Sequence, residues 1–412
     1  MISDKIKLKQ LFLMCWLVYF ITYIGRLSYT CAMADMIADN VITKPQAGSI
    51  SMIFFFSYGI GQLVNGFLGD RLSPVHMIAA GLSLSSLCNL IMGLNSNYYL
   101  MAAVWGISGF SQAMVWPPIM RLFSTEFDEQ SRLSACVNIA TTMAAGTLCS
   151  YILSALLLSI SGWRLVFLLP AVLIALTAAF CSIGISRILK TSARAGRQAE
   201  RALPKPQNPA PKPGGIRTAL FCGLVPLIIL PAVIHGMIKD GVTSWVPTFI
   251  SERFGVIPAL SILITTLLPV ANMFGAYAAG FVHKRVKNEC LGCAIFFGIA
   301  SVALLALNIF GGAGALFSAA LLAVITSSMI AVNTLIVSFV PLRYSAAGLS
   351  ATVSGFLNSM AYIGAAISSF AVGVMVEKLG WGATTISWFV ACALAALLSL
   401  LPPAVKQAQL KE

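Results

Sequence analysis

Arg26 places a permanently charged guanidinium inside the first long apolar segment of this chain. An arginine at the depth of a bilayer costs between about 2.5 and more than 10 kcal/mol, so such residues usually face a protein interior or a hydrated cavity. Tyr19, Tyr23 and Arg26 are spaced i, i+4 and i+7, which puts both phenols and the guanidinium on one face of a helix. This face is predicted to line a hydrated site.

A second cation, Lys239, falls inside a later apolar segment, 213 residues after Arg26. Two opposed cations in a medium of low dielectric constant repel each other and favour an anion between them. A phosphate monoester suits the pair, because it carries close to two negative charges and a guanidinium binds it with two hydrogen bonds. His235 lies one helical turn before Lys239 and is predicted to share its face. Further hydrogen bonds to the anion are predicted from Tyr58 and Gln62.

Asp240 is a carboxylate in the middle of an apolar segment, next to the second cation. It either neutralises Lys239 in the empty protein or carries a proton, as intramembrane carboxylates do in transporters. Adjacent residues on a helix point about 100° apart, so a direct Lys239–Asp240 pair is expected to be less favourable than a pair with another segment. Either arrangement lowers the positive charge that is available to a dianion.

The composition places these residues in a polytopic membrane protein. The 412 residues are 58% hydrophobic and 9% charged, with a mean hydropathy of +0.90, far outside the range of soluble domains. The net charge of +13 comes mainly from short loops between apolar runs, so nucleic acid is not an expected partner. Cys290 and Cys293 lack a second cysteine pair or a histidine group, and neither a metal nor a cofactor is expected.

Twelve segments are long and apolar enough to cross a bilayer as helices. Their approximate bounds are 10–36, 46–68, 76–95, 98–122, 132–158, 162–186, 219–246, 257–282, 288–310, 313–340, 346–374 and 380–402. An even number places both termini on one side, and most lysines and arginines fall on that side. The opposite side receives Lys44, Arg164, Arg253 and Lys378. The positive-inside rule therefore predicts cytoplasmic termini in the cell (inner) membrane.

The two halves of the sequence repeat the same landmarks. Residues 66–71 recur as 280–285, residues 133–137 as 349–353, and Gly162-Trp163 as Gly380-Trp381, with offsets of 214, 216 and 218 residues. This repeat predicts an all-α membrane protein in which twelve helices form two pseudo-symmetric six-helix bundles, the major facilitator fold. The predicted domains are 1–186 and 219–412. A basic, Pro-rich cytoplasmic linker, 187–218, joins them.

The chain resembles the organophosphate:inorganic phosphate antiporters, the group of glycerol-3-phosphate, hexose-phosphate and glucose-6-phosphate transporters. Beside Tyr19, Tyr23 and Arg26, the similar residues are Tyr58, Asn65-Gly66, Asp70-Arg71, Gly109, Gln112, Trp116-Pro117-Pro118, Lys239, Gly241, Trp245 and Pro247-Thr248. The resemblance implies that Arg26 and the residue at 239 bind phosphate, and that exchange for inorganic phosphate is the reaction. Lysine replaces the usual arginine at 239, Gln62 stands where the bacterial carriers have lysine, and Asp240 is unexpected. These departures favour a smaller or less charged anion.

The expected mechanism is alternating access by rocking of 1–186 against 219–402 about a central site. A bound dianion would remove the repulsion between Arg26 and Lys239, so that only the loaded carrier reorients. Asn358 is a further candidate substrate contact. The predicted cytoplasmic gate consists of Asp70, Arg71, Arg121, Arg132, Lys284 and Arg285.

Three functions remain open from the sequence. The first is a secondary transporter that exchanges an organophosphate or related organic anion for inorganic phosphate. The second is proton-coupled transport or efflux of a carboxylate or neutral metabolite through Asp240. The third is a membrane ligand sensor that works with a partner kinase. No nucleophile, metal cluster or phosphate-binding loop is evident, so an enzyme is not expected.

Overall fold

The computed structural model describes residues 5–69, 72–128, 131, 134, 135, 138, 139, 141–196, 224–344 and 350–400. All regular secondary structure in these ranges is helical, which confirms the predicted all-α class. The α-helices, numbered in chain order, are α1 Lys5–Ala38, α2 Lys44–Gly69, α3 Pro74–Leu94, α4 Tyr98–Ala113, α5 Trp116–Glu126, α6 Thr141–Ser161, α7 Leu165–Gly196, α8 Leu224–Gly236, α9 Val246–Phe254, α10 Pro258–Thr265, α11 Leu267–Val286, α12 Glu289–Phe310, α13 Ala315–Asn333 and α14 Ser350–Leu400.

Ten helical stretches among the described residues are long and apolar enough to cross a membrane. One of them, Val353–Leu400, has 48 residues and is interrupted at Gly380, so it contains the last two predicted spans. The predicted span 98–122 is divided into α4 and α5, each shorter than a membrane-crossing helix. The described helices therefore overlap all twelve predicted spans, and parts of the spans predicted at 132–158, 219–246, 346–374 and 380–402 lie outside the described residues.

The repeated Gly-Trp landmark marks a backbone turn in each half of the chain. Gly162 has φ of 69° and Gly380 has φ of 76°. Side chains with a Cβ rarely adopt this left-handed conformation, so glycine is required where one helix ends and the next begins. The repeat seen in the sequence thus has a structural cause at both positions.

The chain forms two compact units. Unit 1 comprises Met1–Val41 and Ile60–Gln207. Its core is built from α1, α3, α5 and α7, and the largest fully buried side chain of that cluster is Phe123. Gly146 lets α6 approach α1 closely, since a Cβ at this position would lie 2.7 Å from the Cβ of Tyr23.

Unit 2 comprises Ile42–Gly59 and Asn208–Glu412. Here α8 and α14 are in backbone contact: a Cβ on Gly236 would lie 1.8 Å from the carbonyl oxygen of Ala361, and one on Gly364 would lie 1.9 Å from that of Val233. Small residues at such crossings maximise dispersion contacts where lipid tails compete for apolar surface. This close crossing fixes the helix that carries Lys239.

The helix α2 is shared by the two units, which divide it between Gly59 and Ile60. Its first half packs on α14 within unit 2, where a Cβ on Gly48 would lie 2.5 Å from the carbonyl oxygen of Ser369. The domain bounds 1–186 and 219–412, drawn from the repeat, stay a prediction.

Two π-helical segments interrupt the α-helical spans. The first, Met237–Val242, directly follows α8, and the second, Thr334–Phe339, follows α13. A π-bulge accommodates one extra residue in a helical turn and often lies at a functional site. The first segment contains Lys239 and Asp240, the two charged residues of unit 2 that the sequence assigns to the substrate site.

Candidate functional site

The predicted aromatic face of α1 lies in unit 1. The rings of Tyr19 and Tyr23 meet edge to face with centroids 5.5 Å apart, and the Tyr19 ring lies 4.7 Å from that of Trp116. Tyr19, Tyr23, Arg26 and Trp116 are all partly buried. Helix α1 therefore carries Tyr19, Tyr23 and Arg26 at partly buried positions, and Trp116 of α5 packs against Tyr19.

The two glutamines of the predicted site also lie in unit 1. Gln112 is buried, and its amide nitrogen donates to the hydroxyl oxygens of Ser85 and Ser108 at 3.3 Å each. The bond to Ser85 ties α4 to α3, which gives Gln112 a structural role. Gln62 on α2 is partly buried.

The charged pair of unit 2 is held together directly. The Nζ atom of Lys239 lies 2.8 Å from Oδ2 of Asp240, with 19% and 20% of the two side chains exposed. The direct pair, which the sequence spacing disfavoured, is therefore present in the structure. The π-helical turn changes the angle between neighbouring side chains, and the long lysine side chain bends back to the carboxylate. The ammonium of Lys239 and the carboxylate of Asp240 thereby form a locally neutral pair.

Hydroxyl groups support this π-helical segment from the following turn. Thr243 donates its side-chain hydroxyl to the carbonyl oxygen of Lys239. Ser244 donates to the carbonyl oxygen of Asp240 at 2.8 Å. These hydroxyl groups add to the backbone bonding of the segment, where the amide of Ser244 also donates to the carbonyl oxygen of Asp240 at 3.2 Å.

Two other predicted site residues near this pair are fully buried. His235 has no exposed surface, in contrast to the partly exposed Lys239 one turn later. Trp245 is equally buried, and its indole nitrogen donates to the carbonyl oxygen of Ser369 at 3.1 Å. Trp245 also meets Trp381 edge to face at 6.3 Å. Both side chains therefore belong to the packing of unit 2 in this conformation.

An aromatic cluster surrounds Tyr58 in unit 2. Its ring lies 4.7 Å from that of Tyr362 on α14 and 6.1 Å from that of Phe54. Tyr58 is buried and Asn358, one turn before Tyr362, is partly buried. The structure therefore places Tyr58 and Tyr362 together, whereas Gln62, four residues later on α2, belongs to unit 1.

The predicted gate residues are only partly covered by the described ranges. Asp70, Arg71 and Arg132 lie outside them. Arg121 donates one guanidinium nitrogen to the carbonyl oxygens of Gly69 and Leu72, at 2.8 Å each. A cation at the last carbonyl groups of a helix stabilises its end, here that of α2. In unit 2 the predicted gate residues Lys284 and Arg285 are both exposed, and the Arg285 guanidinium lies 4.2 Å from the centroid of the Phe281 ring.

Two ion pairs of unit 2 were missed by the sequence reasoning. Arg343 binds Glu289 with two guanidinium nitrogens, and the carboxylate side chain is only 7% exposed. Lys44 lies 3.0 Å from Glu252, whose carboxylate also accepts from the indole of Trp381 at 2.9 Å. The signal that was available is scarcity: the chain has only 13 acidic residues, so each carboxylate at a span boundary merits a partner.

The chemistry of these side chains is recognition of charge. A primary ammonium, a guanidinium, phenols and amides donate hydrogen bonds to an anion. Among the described residues, no group of three histidine, cysteine, aspartate or glutamate side chains is placed to hold a metal ion.

Known proteins of similar sequence are membrane transport and sensor proteins. The chain is 23% identical over 414 residues to a probable hexose phosphate transport protein of Chlamydia pneumoniae, covering 95% of this chain and 90% of that protein. It is 22% identical to the membrane sensor protein UhpC of Salmonella typhimurium, covering 96% and 91%. These relatives support the resemblance to the organophosphate:inorganic phosphate antiporters.

A solved structure shows the same fold. A bacterial homologue of the human lysosomal transporter Spinster superposes with a TM-score of 0.77 at 17% sequence identity, covering 97% of each chain. The family model described as Major Facilitator Superfamily matches residues 15–369. The chain therefore belongs to the Major Facilitator Superfamily.

Proposed function

We propose that this multi-pass membrane protein is a secondary transporter that exchanges an organophosphate or a related organic anion for inorganic phosphate. The observation that carries the proposal is the partly exposed ammonium of Lys239 on an apolar helix, inside a π-helical segment. An ionisable side chain on an apolar helix costs stability, and such residues usually mark a binding site or an ion pathway. The name of the Chlamydia relative, a hexose phosphate transport protein, supports a phosphorylated substrate.

Arg26 and Lys239 are the proposed phosphate-binding residues, one from each half of the repeat. Their common role rests on the 213-residue offset between them, which matches the offsets of the other landmarks. Tyr19, Tyr23 and Trp116 form the aromatic surroundings of the Arg26 helix. In the proposed cycle, the anion neutralises both cations, and the domains 1–186 and 219–412 reorient around it. Both termini are proposed to be cytoplasmic.

The Lys239–Asp240 pair favours a second candidate function. A carboxylate 2.8 Å from the ammonium already neutralises it in the absence of substrate. When Asp240 neutralises Lys239, the repulsion between Lys239 and Arg26 is largely removed, so an empty carrier can reorient, which permits net uptake or proton-linked movement in place of obligatory exchange. Protonation of Asp240 would release Lys239 to bind an anion, so that proton and anion enter together.

Reconstituted vesicles distinguish the two transport modes. Vesicles loaded with inorganic phosphate are supplied with radiolabelled glucose 6-phosphate or glycerol 3-phosphate, and uptake is compared with that of phosphate-free vesicles under a pH gradient. Exchange predicts uptake only with phosphate inside, and Arg26→Gln or Lys239→Gln should abolish it. Lys378→Gln, which removes one exposed lysine charge elsewhere, is the matched control. Undiminished exchange in both site variants would refute the proposed site.

A sensor differs from either transporter by binding without flux. The relative named membrane sensor protein UhpC makes this outcome a necessary part of the test. Saturable binding of glucose 6-phosphate to the purified chain, lost in Arg26→Gln, together with the absence of uptake in every vesicle condition, would replace the transport proposal with a sensing one.

A further inference from the structure

A groove between α1 and α7 in unit 1 has no role in the proposed transport cycle. It has a volume of about 740 Å³ and is lined by nine residues, among them Leu13, Met14 and Leu17 of α1 and Phe180 and Ile183 of α7. About half or more of the Leu13, Phe180 and Ile183 side chains is exposed. These apolar side chains lie on membrane-crossing helices, so the floor of the groove faces hydrocarbon.

One end of the groove is polar and the other apolar. Gln10 and Arg187 line the end where α1 begins and where α7 leaves its apolar stretch. The two helices are antiparallel there: Met14 lies against Cys181 and Gly184, whereas Gly25, later in α1, lies against Ile174, earlier in α7. The cation therefore lies at the membrane surface and the apolar floor runs inward from it.

The charged side chains of residues 5–20 and 180–191, which flank this end, are all basic. Lys5, Lys7, Lys9, Arg187 and Lys190 all belong to the terminal turns of α1 and α7, and residues 5–20 and 180–191 contain no acidic side chain. Basic pockets between membrane helices on the cytoplasmic side bind anionic lipid headgroups. A zwitterionic headgroup offers the same phosphate but adds a positive charge that these residues repel.

The length of the groove fits a lipid chain. From Phe180 to Ile188 the helix rises about 12 Å, close to the roughly 15 Å of hydrocarbon in one leaflet. Nine lining residues are far fewer than the roughly 20–30 on each side of a stable protein interface, which argues against a second copy as the occupant. An acyl chain gains no hydrophobic free energy by leaving the bilayer, so selection must come from the headgroup.

We propose that this groove is a binding site for an anionic phospholipid, with the phosphate at Arg187 and one acyl chain along Leu13 and Ile183. The site is independent of the anion pair proposed for transport. Each basic residue near an anionic lipid strengthens binding about fivefold, so loss of Arg187 should weaken it by about that factor.

Native mass spectrometry of the purified full chain tests the proposal. The protein in mild detergent is mixed with equal amounts of phosphatidylglycerol and phosphatidylcholine that carry identical acyl chains. We expect bound phosphatidylglycerol to exceed bound phosphatidylcholine, Arg187→Gln to reduce the former about fivefold, and Ile183→Trp, which fills the groove, to reduce both. Lys287→Asn is the matched control. It removes one exposed charge on an expected cytoplasmic loop, and asparagine tolerates the φ of 53° at this position.

Three results would overturn the proposal. Equal retention of the two lipids would show that the charge of the headgroup is not recognised. Equal losses in Arg187→Gln and Lys287→Asn would show that only the overall charge of the protein matters. Unchanged phosphatidylglycerol binding in Ile183→Trp would place the lipid outside the groove.

Discussion

Replacing Asp240 by asparagine removes the carboxylate that neutralises Lys239, one of the two proposed phosphate-binding cations. In the structure the carboxylate lies 2.8 Å from the Lys239 ammonium, and four-fifths of each side chain is buried. A hydrogen bond between charged groups contributes about 1.5–3 kcal/mol net. An anion that displaces the carboxylate from Lys239 loses this hydrogen bond, so the carboxylate weakens anion binding by up to that amount. Asp240→Asn should therefore tighten anion binding by about 10- to 150-fold.

The geometry also indicates where in that range the result should fall. The lysine ammonium has three donors, so a carboxylate and a phosphate oxygen can be bound at once. If the ammonium binds both groups at once, the gain in anion affinity in Asp240→Asn should be near about 10-fold. If the anion displaces Asp240 completely, the gain should be near about 150-fold. The same variant leaves Lys239 without its carboxylate partner, and its thermal stability without anion should fall.

Binding of inorganic phosphate to purified protein, measured by isothermal titration calorimetry, gives the required dissociation constants. The matched control is Glu252→Gln, which removes the carboxylate of the Lys44–Glu252 pair. That pair has a similar distance, 3.0 Å, and similar exposure, 25% and 27%. Unchanged or weaker phosphate binding in Asp240→Asn would refute the competition between carboxylate and anion. An equal gain in Glu252→Gln would attribute the effect to net charge alone.

Two further predictions concern unit 2. Gly236→Ala should lower the free energy of unfolding by about 3 kcal/mol, because the added Cβ would lie 1.8 Å from a backbone oxygen. Gly298→Ala is the control: its Cβ would have no atom within 4 Å, so the melting temperature in detergent should stay unchanged or rise. A fall of the same size in both variants would contradict this account of helix crossing. Arg343→Gln should lower the free energy of unfolding by about 3 kcal/mol, because it leaves the buried carboxylate of Glu289 without its cation. Glu289→Gln should lower it by only about 1 kcal/mol, because the half-exposed guanidinium of Arg343 stays hydrated. Thermal denaturation measures both, and the reverse order would show that the carboxylate is less buried than described.

The sequence predicted the helical architecture well because hydrophobicity and backbone constraint are local properties. Span lengths follow from the thickness of the bilayer. The recurrence of Gly162 and Gly380 follows from a backbone conformation that glycine adopts readily. The break at residues 114–115 between α4 and α5 was not predicted, although Pro117 and Pro118 are present just after it. Proline at the first positions of a helix is compatible with a new start there, which hydropathy alone does not register.

The site was harder to predict because it depends on angles that a uniform α-helix does not provide. Spacing placed His235 and Lys239 on one face, yet the first is fully buried and the second partly exposed. Spacing also disfavoured the Lys239–Asp240 pair that the π-helical segment brings together. Trp245 carries the family pattern, and its indole is used in a hydrogen bond to the backbone of α14. Residue type identified the important segment, whereas the local helical geometry decided which groups meet.

The π-helical turns at Met237–Val242 and Thr334–Phe339 have a consequence for comparing related carriers. Each turn holds the equivalent of one inserted residue, so every side chain beyond it is rotated by about 100° from the register of an uninterrupted helix. A carrier that lacks the inserted residue would turn a different face of the same helix toward its substrate. This would hold even if the residues before and after the insertion were identical. Differences in cargo among such carriers can therefore arise from a one-residue gap, without any substitution of a residue that touches the cargo.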